Sequence, residues 1–436
     1  MRIVIVGGGF AGSYCARALE RRLAPAEAEI VLLDRRNFFA FTPLLVEAGT
    51  GALEPRHAVV PIRSFLGRTR FRMMDVQGID FERRVITHRD PGGREGTTDY
   101  DQLVLALGSA TLLPPVPGLR EHGHEMKDLT DAVALRDHVI RVLEWADSER
   151  DPACVRRLQH LVVVGASFTG VEVAGEYRAF LERACERYPN LDPAACRVTV
   201  VERADRILGA LPERLAARAK RDLERVGVDF RLGTSVREIR EDGAVLESGE
   251  ILDAETTVWC AGIAPPPIVR ALGLPRDQRG YLACDEHLRV TGHDHVWAIG
   301  DCAVMQLSTG AAHPATAQQA IREGAHAARN LAASIRGEPP RPFRYRPIGS
   351  LAALGTHRGV GIVYGVEIAG FLAWFVWRTV YLWKMPGFAR RWRVAIDWTL
   401  DLLFPKDYVQ LGIHRLRDTT VEAQRPDERG ENHGTS

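Results

Sequence analysis

The sequence predicts an α/β protein in which two similar units, each a parallel sheet covered by helices, are followed by a C-terminal region of different composition. Short, uninterrupted apolar strands alternate with helical patterns, as they do in parallel sheets that are buried on both faces. A strand, a glycine-rich turn and the start of a helix also occur twice, as IVIVGGGFAGSYCA near the start and LVVVGASFTGVEVA near residue 165. One duplication with differing details indicates two related ligand sites rather than a solenoid.

The strands and helices follow from this alternation in chain order. Strands are predicted at Arg2–Val6, Ile30–Leu33, Leu103–Leu107, Leu161–Val164, Val198–Val201, Thr257–Trp259 and Val296–Ile299. Helices are predicted near Ala11–Leu23, Thr130–Ala146, Gly170–Arg187, Pro212–Val226 and Ala317–Ile335.

Length and composition exclude several classes of protein. The 436 residues require at least two domains, because a usual domain has roughly 100 to 200 residues. With 57 Lys and Arg against 56 Asp and Glu, the net charge of +1 provides no overall field for nucleic acid, so no such partner is predicted. The seven cysteines form no CxxC pair and none stand at metal-ligand spacing, so we expect no disulfide scaffold, no metal and a reducing compartment.

Neither a signal peptide nor a membrane-spanning helix is expected. The apolar run at the start, Ile3 to Val6, is far shorter than the apolar core of a signal peptide. The most apolar window, residues 359–377, carries Glu367 and four glycines and begins as a glycine-broken strand pattern. The protein is therefore expected to be soluble, or to lie on a membrane without crossing it.

The first glycine turn has the features of a dinucleotide cradle. In G-x-G-x-x-G, Gly7 allows the tight turn, Gly9 lets the backbone approach a pyrophosphate, and Gly12 lets the helix pack on the strand. The N-terminus of the following helix offers free N–H groups to the phosphates. Asp34 ends the next strand, 22 residues after Gly12, where its carboxylate can accept from ribose hydroxyls. The neighbouring Phe10, Ala11 and Arg35 are assigned to the same site.

Two further segments resemble the FAD fingerprints of flavoproteins with two dinucleotide-binding domains. WAIGDCA (297–303), a strand that ends in Gly300 and Asp301 before a helix, is similar to the segment in which the aspartate binds the ribitol of FAD. LALGSAT (105–111), with Ala106 and Gly108, resembles the crossing segment of these proteins, although Leu107 stands where threonine is usual. The first site is thus expected to hold FAD, and its domain to be completed by a distant second segment.

The second glycine turn is predicted to bind a nicotinamide cofactor. Gly165 and Gly170 keep the pattern, but Ser167 replaces its middle glycine, which narrows the approach to the pyrophosphate while leaving a hydroxyl that can bind phosphate. Glu202, at the end of the strand RVTVVE, is placed to accept from the adenosine ribose. A 2′-phosphate about 4 Å away would be repelled by roughly 1–4 kcal/mol, so NADH is preferred over NADPH, although Arg203 softens this preference.

The helix near residue 317 has a readable start. Thr316 and Gln319 have the spacing of a capping box, so the helix is expected to begin at Ala317 and to direct its N-terminus at the flavin. Glu172, near the start of the second unit's helix, has two interpretations: compensation of the helix dipole, or a place beside the contact between nicotinamide and flavin.

From residue 1 to about 412 the sequence resembles the type II NADH:quinone oxidoreductases, which are single-subunit and non-pumping. The run FTPLLVEAGTG (41–51) looks like the family's flavin-packing segment, VWCAGIAPPP (258–267) like its second crossing segment, and residues 371–398 like its aromatic C-terminal region. The resemblance implies two Rossmann-like domains, for FAD and for NADH, with the second inserted into the first. It also implies hydride transfer from NADH to FAD and two electrons on to a membrane quinone. Cofactor contacts are assigned with it to Pro43, Leu44, Val76, Gly262 and Ala317.

The family's quinone motif, A-Q-x-A-x-Q, is only partly kept. Gln318 matches the first glutamine and is expected to donate a hydrogen bond on the quinone or flavin side, whereas Arg322 replaces the second glutamine. Arginine can donate to a quinone oxygen or favour a differently substituted acceptor. Glu172 and Lys384 match family positions that have been implicated in charge or proton movement. The sequence does not identify the quinone.

Residues 371–393 are predicted to face a membrane. They hold eight aromatic residues and five cations without an acid, and five of the chain's eight tryptophans lie within 374–398. Aromatic residues suit the headgroup level and cations suit an anionic leaflet. The alternative is an interface of a homodimer, where aromatic residues and arginine are also enriched. The predicted location is the cytoplasmic face of the cell membrane, as a peripheral protein.

The predicted segments are a first FAD-binding part (1–120), a helical connection (121–158), an NADH-binding domain (159–285), a second FAD-binding part (286–340), a quinone- and membrane-facing region (341–412) and a disordered tail (413–436). Three other functions remain open. They are a sulfide:quinone oxidoreductase, which needs suitably placed redox cysteines, a soluble NAD(P)H-dependent reductase of an electron-carrier protein, and a non-enzymatic NAD(H)-binding redox sensor.

Overall fold

The computed structural model describes residues 1–305 and 316–412. The tail predicted for 413–436 lies outside the described residues. The first sheet is parallel and has five strands, in the spatial order Val296–Ala298, Gln102–Leu105, Arg2–Val6, Glu29–Asp34 and Arg70–Met73. Its central strand, Arg2–Val6, is almost wholly buried, which explains its continuous apolar sequence.

The second sheet is also parallel and has five strands, all of them supplied by residues 123–232 and 256–259. Their order is Gly123–Glu125, Thr256–Trp259, His160–Val164, Arg197–Glu202 and Val228–Leu232. The first sheet recruits Val296–Ala298 only after the chain has completed this second sheet. The prediction of a second α/β unit inserted into the first is therefore confirmed, while the limits of the six predicted segments stay a prediction.

Helices cover both sheets. The α-helices are Phe10–Arg22, Leu45–Gly49, Ile62–Phe65, Leu119–His122, Leu129–Ser148, Pro152–Leu158, Phe168–Cys185, Glu213–Glu224, Pro267–Ala271, Ala317–Ile335, Phe371–Lys384 and Phe388–Leu403. Single 3₁₀ turns occupy Thr42–Leu44, Pro55–Ala58, Pro193–Ala195 and Gly300–Cys302.

Smaller antiparallel sheets complete the two units and the C-terminal region. Three-stranded sheets are formed by Asp75–Asp80, Val85–Arg89 and Glu95–Asp99, by Val236–Arg240, Gly243–Leu246 and Ile251–Asp253, and by Gly349–Ala353, Gly359–Val363 and Val366–Ala369. Two-stranded pairs join Phe38–Ala40 to Val59–Pro61, Ala110–Thr111 to Ile263–Ala264, and Leu282–Cys284 to Ala303–Met305. The glycine-broken strand pattern near residue 360 is thus confirmed.

Two predicted segments beside the first glycine turn differ from the structure. The strand predicted at Leu103–Leu107 ends at Leu105, because the chain then crosses over the first glycine turn and Gly108 takes a φ of +68°. The sequence pattern predicts that a helix directly follows Gly300 and Asp301, and this prediction is wrong. A 3₁₀ turn, Gly300–Cys302, is followed by the short strand Ala303–Met305.

The helix Ala317–Ile335 packs very closely on the first helix of the chain, Phe10–Arg22. A Cβ added to Gly324 would lie 2.3 Å from the carbonyl oxygen of Ala11, so only glycine allows this approach. The contact brings the start of Ala317–Ile335 next to the first glycine turn. The fold therefore assembles the first site from segments about 300 residues apart.

Candidate functional site

The first glycine turn has the geometry that its sequence predicts. Gly7 has a φ of +105°, and a Cβ there would lie 2.1 Å from the carbonyl oxygen of Ala106. A Cβ at Gly12 would lie 1.8 Å from the carbonyl oxygen of Gly7. A Cβ at Gly9 would meet nothing within 4 Å among the described atoms, so this glycine faces open space. Gly7 and Gly12 close the turn, and Gly9 leaves a bare backbone for a ligand.

The second glycine turn repeats this geometry. Gly165 has a φ of +100°, and a Cβ at Gly170 would lie 1.8 Å from the carbonyl oxygen of Gly165, the same contact as between Gly12 and Gly7. Ser167 has a φ of −72° and is exposed. Serine therefore adopts this conformation without strain, and its hydroxyl is open to a ligand.

Each turn is braced by the acidic residue at the end of the following strand. Asp34 accepts one hydrogen bond from the Gly8 N–H at 2.5 Å and another from the Arg36 N–H at 2.7 Å. Glu202 accepts from the Ala166 N–H at 2.7 Å and from the Ala204 N–H at 2.9 Å. The two predicted ribose-binding carboxylates thus hold the same position in both units, each next to its own glycine turn.

A cavity of about 840 Å³ begins at the first glycine turn. Most residues predicted to hold FAD line it, together with Glu172: Gly7, Gly9, Phe10, Ala11, Asp34, Arg35, Val76, Ala106, Gly108, Gly300, Asp301 and Ala317. Pro43 and Leu44 do not, because their 3₁₀ turn directs Leu44 into the core, and Thr42, Leu45 and Val46 form that part of the wall. A bare-backbone turn, a carboxylate and a long cavity beyond them fit an FAD molecule.

A polar chain on the wall of this first cavity was not indicated by any sequence pattern. The ammonium of Lys127 donates to the Ser109 hydroxyl at 2.8 Å, and this hydroxyl donates to Asp301 at 3.1 Å. Burial lowers the pKa of Lys127, against the opposing effect of the carboxylates around it, Asp301 first. The chain brings one cation and one anion to the cavity. Lys127 and Asp301 are 174 residues apart in sequence, so no local pattern could have revealed it.

A second cavity, of about 570 Å³, lies between the two units. Ser167 and Gly262, both of which the sequence assigns to cofactor binding, line it with Thr169 and Cys260 from the second unit and Gln319 from the first. Gly262 belongs to a crossing segment that pairs with the first one, because Ala110–Thr111 and Ile263–Ala264 form an antiparallel pair. Gly165, Gly170 and Glu202 lie behind this wall in the glycine turn and its neighbouring strand.

Glu172 lies on the wall of the first cavity, but not at the end of a helix. Its helix begins at Phe168, which places Glu172 beyond the first turn, so the helix-dipole interpretation is wrong. One carboxylate oxygen accepts from the Ala353 N–H of the C-terminal sheet at 3.1 Å. Burial, with further contributions from Glu47 and Glu176, raises the pKa of Glu172 to about 8. The group therefore holds a proton at neutral pH.

The predicted helix start at Ala317 is confirmed, and the Thr316 hydroxyl accepts from the Gln319 N–H at 3.2 Å. The reciprocal half of the predicted capping box does not form, because the Gln319 side chain donates to Glu323 instead. Ala317 and Ala320, in the first turn of this helix, line the first cavity. The N-terminus of the helix thus lies at the first cavity.

Gln318, Arg322 and Lys384 lie together, but away from the wall of the first cavity. The amide oxygen of Gln318 accepts from the Tyr345 hydroxyl and from the Ile348 N–H, both at 3.1 Å. Arg322 lies over the ring of Tyr345 and donates to the Arg346 carbonyl. Burial first, and then the charge of Arg322, lowers the pKa of Lys384. With its oxygen engaged, Gln318 has an amide nitrogen to which none of residues 1–305 and 316–412 is hydrogen-bonded, so this nitrogen can donate to a ligand.

The aromatic residues predicted to face a membrane divide into two groups. Trp374, Trp377 and Tyr381 face inward, where the two tryptophans are buried. The second group exposes more than half of its surface and consists of Phe371, Phe375, Trp383, Phe388 and Trp392. Leu403 and Phe404 are exposed to a similar degree and continue this face. Arg378 also turns inward and pairs with Glu47. The predicted membrane contact is therefore left to the outer face, since Trp374, Trp377 and Tyr381 belong to the protein interior.

Within residues 1–305 and 316–412, no helix is long and apolar enough to span a membrane, and no group of His, Cys, Asp and Glu side chains is arranged to hold a metal ion. All seven cysteines are free. Burial raises the pKa of Cys260 and of Cys302 to about 12, so neither thiol readily forms the nucleophilic thiolate.

Comparisons with known proteins agree on one family. Residues 1–324 match the family model of the pyridine nucleotide-disulphide oxidoreductases, and residues 348–407 match the NDH2 C-terminal domain. The chain is 32% identical to the demethylphylloquinone reductase NdbB of Synechocystis, over 91% of this chain and 95% of that protein. It is 30% identical to a type II NADH:quinone oxidoreductase of Staphylococcus aureus, over 87% and 94% of the two chains. The structure of NDH2 from Plasmodium falciparum in complex with NADH has the same fold, with a TM-score of 0.86, 19% identity, and 94% and 99% of the chains covered.

The two bracing carboxylates should be separable by substitution. Glu202→Gln should keep FAD but raise the KM for NADH about 10-fold or more, because charge-assisted hydrogen bonds contribute about 1.5–3 kcal/mol each. Asp34→Asn should lower the FAD content instead. The ratio of FAD to protein and the steady-state KM measure both effects. Equal loss of FAD in the two variants would contradict the assignment of one cofactor to each turn.

Proposed function

The chain belongs to the type II NADH:quinone oxidoreductase family, within the pyridine nucleotide-disulphide oxidoreductases, and we propose that it oxidises NADH with bound FAD and passes two electrons to a quinone. The quinone acts as the second substrate. Arg322 stands where the family's quinone motif has its second glutamine.

One observation carries this proposal: the two cavities share a wall. Thr169 and Ile263 from the second unit, and Gly300, Asp301 and Ala320 from the first, line both cavities. A ligand that enters from the second glycine turn therefore ends against a ligand held by the first. Direct contact between donor and acceptor is what hydride transfer needs, and positioning of this kind accounts for much of its catalysis.

The protein's own residues then have distinct roles. FAD, when bound, supplies the redox chemistry, since it can take up a hydride and give up two electrons. We assign the diphosphate of FAD to the first glycine turn and its ribose hydroxyls to Asp34. The second glycine turn and Glu202 have the same two roles for NADH. Ser109 and Lys127 position Asp301. The carboxylate of Glu202 next to the adenosine ribose favours NADH over NADPH.

We assign proton delivery to Glu172 on the wall of the first cavity, and quinone binding to Gln318, Arg322 and Lys384, which lie off that wall. Reduction of a quinone to a quinol takes up two electrons and two protons. A hydride from NADH carries two electrons and one proton, so one further proton is needed, and Glu172 carries a proton at neutral pH. Gln318, Arg322 and Lys384 form a polar group beside the C-terminal helices and supply N–H donors for the quinone oxygens. Lys384 and Arg322 also favour a quinol anion, since both are cationic.

The outer face of the C-terminal helices is proposed to lie on a membrane. Phe371, Trp383, Phe388 and Trp392 expose between 57 and 76% of their surface, and monomeric proteins rarely leave so large an apolar patch uncovered. Arg393, on the helix that carries Phe388 and Trp392, suits an anionic leaflet. A membrane also contains the quinone, and the cytoplasmic face is the side on which NADH is available. A homodimer that buries this face is the competing proposal.

The other functions have less support. Cys302 is buried and Cys260 is half-buried, and the thiols of both have raised pKa values, which does not suit sulfide oxidation. A reductase of a soluble electron carrier does not account for the NDH2 C-terminal domain or for its exposed apolar face.

Rapid mixing without oxygen tests the proposed function. NADH should bleach the flavin absorbance of the purified protein, and a second mix with a menaquinone or ubiquinone analogue should restore it within one turnover. Failure of the second step with both quinones, after a normal first step, would contradict the quinone as acceptor. Failure of the first step would contradict the whole proposal.

The variant Glu172→Gln tests the role of Glu172 in the same experiment. Because the pKa of Glu172 is about 8, its carboxyl loses the proton as the pH rises through that value. The quinone step of the wild type should therefore slow above pH 8, whereas the same step in the variant should be slower at neutral pH and lack this dependence. A pH profile in the variant identical to that of the wild type would remove Glu172 from proton delivery.

Membrane binding is tested by sedimentation with phosphatidylglycerol vesicles. The triple variant Trp383→Ser, Phe388→Ser, Trp392→Ser should bind at least about 100-fold more weakly, because each side chain loses about 1.5–3 kcal/mol of apolar burial. Trp145→Ser with Ile251→Ser, two exposed apolar residues elsewhere, is the control and should bind normally. Equal binding of the triple variant and wild type would contradict the membrane proposal, and a dimer that dissociates in the triple variant would support the homodimer instead.

A further inference from the structure

Gln319 is a buried glutamine whose amide oxygen no described residue satisfies. Its side chain lines the second cavity, and only 9% of the residue is exposed. The amide nitrogen donates to one oxygen of Glu323 at 2.5 Å. The amide oxygen is buried and accepts no hydrogen bond from any residue in 1–305 or 316–412. A buried acceptor without a donor is costly, by about 1–3 kcal/mol, so such a group in a cavity indicates a ligand.

Glu323 determines which end of the amide is free. Its second oxygen accepts from the Gly300 N–H at 2.6 Å, and a backbone N–H can only donate. In this network both oxygens of Glu323 accept, one from the Gly300 N–H and the other from the amide nitrogen of Gln319, and the amide oxygen of Gln319 is directed away from Glu323. The donor and acceptor ends of the amide are assigned by this network.

A free acceptor selects ligands that carry a donor. A quinone ring offers only carbonyl oxygens, which accept, so it cannot satisfy Gln319. The nicotinamide ring of NADH carries a carboxamide with two N–H donors. Thr169 and Gly300 line the same cavity. Thr169 belongs to the helix that follows the second glycine turn, and Gly300 belongs to the wall shared with the first cavity. The nicotinamide must cross this space to reach the flavin.

We propose that the amide oxygen of Gln319 accepts a hydrogen bond from the carboxamide of the nicotinamide ring, and that it positions the ring and selects for this group. The inference rests on the proposed function, since it assigns the second cavity to the nicotinamide end of NADH. Glu323 acts as a positioning residue, because it fixes both the amide of Gln319 and the backbone of Gly300. Gln319, rather than Gln318 next to it, is then the glutamine that contacts NADH.

Binding of two oxidised dinucleotides to the FAD-loaded protein tests this without turnover. The probes are NAD⁺ and 3-acetylpyridine adenine dinucleotide, in which a methyl ketone without N–H replaces the carboxamide. Calorimetric titration of the wild type should show about 3- to 10-fold tighter binding of NAD⁺, the usual effect of one hydrogen bond. Gln319→Met should lose this preference by weakening NAD⁺ alone, while Gln318→Met, on another face of the helix, should keep it.

Each other outcome overturns the proposal. No preference in the wild type shows that the carboxamide N–H has no acceptor in the protein, and this result needs no variant. A full preference in Gln319→Met shows that another residue is the acceptor. A changed flavin spectrum or FAD content in Gln319→Met, with the preference intact, shows that the oxygen faces the flavin ring instead. Failure of both dinucleotides to bind protein that carries FAD would contradict the proposed function itself.

Discussion

The carboxylate of Glu47 is buried where the first unit, the second unit and the C-terminal helices meet, and the arrangement of the site depends on how it is satisfied. It accepts from the Trp398 indole N–H at 2.8 Å and pairs with Arg378 at 3.4 Å, and this guanidinium lies between the rings of Trp374 and Trp398. Burial still raises the pKa of Glu47 to about 7, although Arg378 opposes the shift. A buried ion pair contributes little net stability, but the loss of one partner costs about 3–5 kcal/mol. This interaction therefore specifies where the C-terminal helices attach more than how strongly they attach.

That attachment links the two halves of the proposed reaction. Glu47 lies in the short helix Leu45–Gly49, whose first residues line the FAD cavity, and Glu172 on the same cavity is held by Ala353 of the C-terminal sheet. The C-terminal region thus contacts the cavity wall through two glutamates. The donor side is organised separately, by a second glycine turn that repeats the first down to a contact of 1.8 Å between an added Cβ and a carbonyl oxygen.

Local constraints made much of this predictable from sequence. Gly7, Gly12 and Asp34 act within one strand–turn–helix–strand unit, so their spacing predicts their geometry, and the same holds for Gly165, Gly170, Glu202 and the N-cap Thr316. Contacts between distant segments were not predictable, because no local pattern reports them: Lys127 with Asp301, Glu47 with Arg378, and Glu323 with Gly300. The inward stripe of the C-terminal helix was missed for another reason. Trp374, Trp377 and Tyr381 follow helical spacing, which indicates one buried face, but the membrane prediction counted all eight aromatic residues by composition.

The contact of Glu47, Arg378 and Trp398 holds the C-terminal helices, where the quinone is proposed to bind, against the first cavity. Flavin reduction by NADH, which enters through the second cavity, should therefore not depend on this contact. Single-turnover kinetics of both half-reactions in Trp398→Phe, which removes the indole N–H and keeps an aromatic ring, separate the two sides. Flavin reduction by NADH should stay within about twofold of wild type, and reoxidation by a quinone analogue should slow about 10-fold, as expected for the loss of one hydrogen bond to a charged group. Equal slowing of both steps, or no slowing of either, would show that this contact does not hold the acceptor region in place.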